Sequence, residues 1–98
     1  MTRFEVMTPL GFQVRTSEAY WQKVITKHPD IAALEAEIKQ ALTDPDEIRQ
    51  SSRDANILLF YRTLKVTRWA VAVARKLNGD GFLITAYQTD AIKEGATL

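Results

Sequence analysis

Cysteine is missing altogether, which removes disulfides, thiolate metal sites and cysteine nucleophiles in one step. The chain has one histidine, too few for a zinc site without thiolates to complete it. Its four glycines fall at turns or near the C-terminus, and none builds a phosphate-cradling loop. No Gly-x-Ser-x-Gly elbow offers an activated serine. No apolar run reaches the roughly 18–20 residues that span a bilayer, and Met1–Thr16 has no apolar stretch after a basic start, as a signal peptide would. The expectation is one cytoplasmic domain over residues 1–98 with no cofactor, no metal and no membrane partner.

What is present is unevenly charged. The net charge is +1. Residues 1–49 hold six Lys/Arg against eight Asp/Glu, whereas residues 50–98 hold seven against four. From Arg49 to Lys76 the basic residues are Arg49, Arg53, Arg62, Lys65, Arg68, Arg75 and Lys76, with Asp54 the one acid among them. Such a patch suits a phosphate-bearing partner such as RNA. It equally suits a solvated face whose countercharges lie on acidic helices.

The periodicity divides the chain in two. Phe12–Arg15 reads as a short lead-in strand. Thr16 or Ser17 caps a first helix with Glu18 in its first turn, and Pro29 stops that helix near His28. Tyr20, Val24 and His28 share one stripe, with Trp21 and Ile25 beside it. Asp30 caps a second helix with Ile31, Leu34, Ile38, Ala41 and Leu42 as its apolar face. After Asp44-Pro45 the period changes to two. Asp46–Ser52 reads as a polar edge strand, open to pairing with an antitoxin-like protein or a second copy. Strands follow over about Ile57–Thr63, Thr67–Leu77 and Phe82–Thr89, with a hairpin turn in Asn78-Gly79-Asp80-Gly81. The fold class expected is α+β, with two N-terminal helices packed on a three- to four-stranded antiparallel sheet.

Ala70, Ala72 and Ala74 alternate along the middle strand between Arg68 and Lys76. A two-residue turn at Gly79-Asp80 puts them on one face with Thr85, Tyr87 and Thr89. Two readings of this low floor stand side by side. It is a groove whose basic rim holds phosphates while Tyr61 or Tyr87 stacks a base, or it is where a helix approaches the sheet. A one-residue slip would exchange the faces.

His28, at a helix end before proline, is either a C-terminal cap or a general acid–base group. Metal-free RNA cleavage needs a base for the 2′-hydroxyl, cations for the phosphorane and an acid for the leaving oxygen. His28, Lys76, Arg49, Arg53, Arg62, Tyr61, Thr85 and Tyr87 are of suitable type.

Three stretches carry a resemblance: "ITKHPDIA" (25–32), "ALTDPDEIRQSSRDANILLFYR" (41–62) and "GDGFLITAYQTDAIKEG" (79–95). Together they resemble the phage-type branch of the barnase–EndoU–colicin–RelE nuclease superfamily. The resemblance implies two helices followed by a four-stranded antiparallel sheet. It also implies metal-independent ribonuclease activity, toxin-like or RNA-processing. Carried over by position, it implies catalytic roles for His28, Lys76, Thr85 and Tyr87 and substrate contacts from Arg49, Ser51, Arg53 and Tyr61, to which the basic run adds Arg62 and Arg68. The alternative class is a catalytically silent domain that holds RNA or a protein partner on the same sheet.

Overall fold

A β-hairpin precedes the helices in the computed structural model, which describes residues 1–92 and the backbone of Ala96 and Thr97. Lys93–Gly95, the tail of the third resembling stretch, and Leu98 lie outside the described residues. Strands β1 (Thr2–Met7) and β2 (Gln13–Ser17) pair antiparallel. Their turn closes on Thr8, whose amide and hydroxyl both donate to the Phe12 carbonyl at 2.9 Å. Gly11 there sits at φ 88°, backbone that glycine adopts without a Cβ clash.

Helix α1 (Glu18–Lys27) starts where expected, with Ser17 Oγ accepting from the Tyr20 amide at 3.0 Å. It ends at His28, whose amide still reaches the Val24 carbonyl. The expected second helix is split. Pro29–Leu34 is a 3-10 segment and helix α2 spans Glu35–Thr43. Pro29 lacks the amide donor and biases His28 towards extended geometry, so the chain turns tightly before α2. Ile31, Ile38, Ala41 and Leu42 are all fully buried, as the apolar spacing predicts.

Strands β3 (Glu47–Gln50), β4 (Ile57–Lys65), β5 (Arg68–Lys76), β6 (Asp80–Thr89) and β7 (Ala96–Thr97) complete one seven-stranded sheet in the order β1-β2-β6-β5-β4-β3-β7. The expected architecture is thereby corrected in two respects. The helices follow a hairpin instead of opening the chain, and the sheet is mixed and wider than three or four strands. β2 runs parallel to β6, Gln13 opposite Asp80 and Arg15 opposite Phe82. The expected edge strand is also not an edge, because β7 pairs outside β3 at Arg49 and Gln50. The β3 edge is therefore not available for pairing with another chain at these two residues.

The register decides which face the helices cover. Ala72 pairs with Phe60 and Ala86, and Ala74 with Leu58 and Leu83. All three alanines are fully buried in one core with Trp21, Val24, Ile38 and Leu42 from the helices. The alanine row is the covered floor and not an open groove. Small side chains let the helices sit close to the strands, and bulk is supplied by Phe60 and Trp21 instead.

The β5–β6 pairing also contains a β-bulge. Ala74 faces Leu83 but Val73 faces Thr85, which leaves Ile84 as an extra residue on β6. Beyond the bulge, Tyr87 faces Val71 and Ala86 faces Ala72. The expected face of Tyr87 is therefore reversed, because one inserted residue exchanges the two sides of a strand. The second face carries its own apolar cluster of Leu59, Tyr61, Val71 and Val73, with Trp69, Tyr87 and Ile92 packed on it.

Candidate nucleic-acid interface at the edge of β6

β2 pairs with β6 only as far as Phe82, then turns away into α1. Residues Ile84–Thr89 of β6 are left facing α1 and the 3-10 segment instead of another strand. The α1 stripe Tyr20, Lys23, Val24 and Lys27 lies against this edge and, with Ile84 and Thr85, lines a groove of about 320 Å³. Tyr20 Oη donates to the Ile84 carbonyl at 2.7 Å. The bulge thus offers its backbone to the helix, which replaces the missing strand hydrogen bond at that point.

His28 follows directly on Lys27, the last α1 residue of the groove wall. Its ring centroid is 6.1 Å from that of Tyr87, tilted by 41°. Next to it, Gln88 Nε2 donates to Asp30 Oδ2 at 2.7 Å, tying β6 to the 3-10 segment. His28, Thr85 and Tyr87 are all half-buried, so they are held in place yet accessible. Lys23 and Lys27 are exposed, and among the described residues neither makes an ion pair. A single-sign rim beside low-dielectric walls concentrates anions.

The other candidate residues fall elsewhere. Lys76 lies opposite Gly81 with its Nζ 5.6 Å from the Phe12 ring centroid. That is five positions along β5 from Val71, the partner of Tyr87, or about 16 Å at ~3.3 Å per residue. Arg49 pairs with Glu47 on β3. Ser51 and Arg53 sit in the β3–β4 connection, the Arg53 amide donating to Ser51 Oγ at 3.2 Å. Tyr61 is only 1 % exposed, in the middle of β4. Arg62 is turned to the C-terminal end of α2, donating to the Asp44 carbonyl at 2.8 Å and lying 3.2 Å from its carboxylate. Arg68 opens β5 at the end of the sheet where Tyr87 lies, one strand further in.

The basic run therefore splits between the two ends of the β4–β5–β6 meander and does not form one patch. Arg75 is held by Asp54 at 2.8 Å. The Asp54 carboxyl is in turn pulled below the usual range, first by the Asn56 amide and then by Arg75. The residues that sequence reasoning missed are Tyr20, Lys23 and Lys27. Their signal was present, since positions 20, 23 and 27 fall on one helical stripe that runs into His28.

Among the described residues no group of three His, Asp or Glu is placed to hold a metal ion, and no helix is long and apolar enough to cross a membrane. Comparison of the chain with protein-family models, with curated proteins and with solved structures found no match.

Proposed function

We propose that the chain is a metal-independent ribonuclease acting at the His28 end of the α1–β6 groove. One observation carries this reading. The His28 ring lies 6.1 Å from that of Tyr87, centroid to centroid, and Thr85, two residues before Tyr87 on the same strand, lines the groove with Lys23 and Lys27, which make no ion pair among the described residues.

In this reading His28 takes the proton of an RNA 2′-hydroxyl as the 2′-oxygen attacks phosphorus. Lys27 and Lys23 face the charge that builds on the phosphorane oxygens. The Tyr87 hydroxyl gives its proton to the departing 5′-oxygen, and the Thr85 hydroxyl hydrogen-bonds a phosphate oxygen. The P–O5′ bond breaks, leaving a 2′,3′-cyclic phosphate and a 5′-hydroxyl. Lys76 has no part in this chemistry. The site class agrees with the resemblance of the His-Pro and Ile-Thr-Ala-Tyr stretches, and it leaves a toxin-like or RNA-processing role equally served.

The second reading, a silent RNA-binding domain, is favoured by the same two lysines, which hold phosphates without any catalytic partner. The test uses a mixed RNA pool in EDTA with the wild type, His28→Ala and Lys76→Ala. Cleavage by the wild type and Lys76→Ala but not by His28→Ala, with cyclic phosphate ends, supports the nuclease. Absence of cleavage in all three, with binding that weakens as salt rises, selects the binding domain.

A further inference from the structure

Across Tyr20 from the His28 groove lies a second cavity of about 380 Å³, opened where the parallel strands β2 and β6 part company. Its walls include Tyr20, Phe82 and Leu83, with Arg15 and Ser17 supplying polar groups. Arg15 is ion-paired with Asp80, so its guanidinium is oriented before any ligand arrives. The cavity combines an aromatic ring, an aliphatic wall and a guanidinium whose charge is offset by Asp80 but which keeps N–H donors beyond that pair, a set of groups that can stack a planar base and hydrogen-bond its adjoining phosphate. Tyr20 borders both cavities, and its hydrogen bond to the Ile84 carbonyl fixes the partition between them.

We infer that this second cavity is a nucleobase subsite, in which the base of a nucleotide next to the cleaved phosphate stacks on Phe82 while Arg15 holds its phosphate. The inference rests on the ribonucleolytic reading of the neighbouring groove and names its substrate as single-stranded RNA. A paired base is stacked inside the duplex and presents no free face to Phe82. Because Tyr20 lines both cavities, the substrate bends around it, with the reacting phosphate towards His28 and the anchoring base towards Phe82.

The experiment uses short 2′-O-methyl oligonucleotides, which lack the attacking hydroxyl and stay intact whatever the catalysis. Binding is measured by fluorescence anisotropy for the wild type, Phe82→Leu, Phe82→Ala and Lys27→Glu. Thermal melting confirms that each variant is folded. Phe82→Leu keeps the apolar volume and removes the ring face, so it guards against a loss caused by unfolding. The expected result is an affinity about tenfold weaker for Phe82→Leu, with no such loss on a fully duplex competitor. Wild-type cleavage assays run beside the binding series. If oligonucleotides bind and Phe82→Leu matches the wild type, the subsite is overturned while the nuclease reading stands. If the wild type binds but does not cleave, and Phe82→Leu weakens binding, the subsite stands and the catalytic reading falls. If free mononucleotides bind as tightly as the oligonucleotides and equally well to Lys27→Glu, the cavity is a nucleotide pocket unconnected to the groove and the inference is overturned. Absence of all nucleic-acid binding overturns both.

Discussion

The Tyr20 hydroxyl donates a 2.7 Å hydrogen bond to the carbonyl of Ile84, the residue that the β6 ladder leaves over. The bond joins α1 to the bulge at the point where the two cavities meet. Tyr20→Phe keeps the ring and removes the bond, leaving a part-buried carbonyl without its partner. The expected cost is about 1 kcal/mol in stability, read by chemical denaturation. RNA cleavage should fall further than that cost explains, because the groove loses its fixed wall.

The alanine floor predicts a different kind of sensitivity. Ala72 is fully buried between Phe60 and Ala86, and a larger side chain there has to lift the helices from the sheet. Ala72→Leu should destabilise by about 1–3 kcal/mol through overpacking. A variant that melts at the wild-type temperature would mean that the helices are not seated on this row.

Gly81 is required for close approach and not for an unusual backbone angle. A Cβ built there would lie 2.6 Å from the Arg75 carbonyl oxygen and 3.0 Å from the Phe12 ring. Backbone cannot move aside as a flexible side chain can, so Gly81→Ala should cost about 1–3 kcal/mol. Gly79, at φ 91° with open space around its Cβ position, should lose about 1–2 kcal/mol on conversion to alanine, from conformational strain alone. Comparing the two melts separates crowding from strain.

Acid stability rests partly on carboxylates that the fold holds ionised. Arg3 Nη2 donates to Glu35 Oε1 at 2.6 Å and its Nη1 lies 3.0 Å from Glu18, clasping β1 to both helices. The Arg3 hydrogen bond holds the Glu35 carboxyl below its ordinary value. The Thr63 amide, 2.6 Å from Asp46 Oδ2, does the same for Asp46. Both groups bind protons less tightly folded than unfolded. Their stabilisation is therefore fully present above the unfolded values, about pH 4, and drains away as the pH falls through the folded ones. Arg3→Met should therefore lower the stability read by chemical denaturation more above about pH 4 than below it, a difference that high salt reduces.

Much of this fold is legible in the sequence. Helix α1 declared itself through Ser17, the Tyr20–Val24 stripe and Pro29. The β4–β5–β6 meander did so through its alternation and the Asn78-Gly79 turn. Three things were not legible, each for a physical reason. β1 has Thr2, Arg3 and Glu5 exposed and Phe4 alone fully buried in its middle, too short an alternation to announce a strand. The β2–β6 pairing joins residues from opposite ends of the chain, and no local pattern encodes a parallel neighbour. The Ile84 bulge inserts one residue without any glycine or proline to mark it, yet it exchanges the faces of everything beyond it. The neighbourhood of the His28 and Tyr87 rings was not readable from strand alternation, which grouped Lys76 with Tyr87 on a face that the Ile84 bulge and the covered alanines do not preserve.

The pairing of Gln13–Arg15 with Asp80–Phe82 also sets an order of assembly during synthesis. β2 ends at Ser17, whereas its partner β6 begins only at Asp80, after both helices and three further strands. Until then Val14 and Phe12, both buried in the finished core, have no β6 to rest on, and α1 has no strand edge to receive Tyr20. Contacts of such long range are slow to form because the intervening loop must close first. The β1–β2 hairpin therefore waits, with apolar surface uncovered, for the β5–β6 hairpin. The groove between α1 and β6 likewise takes shape only once β6 has been made.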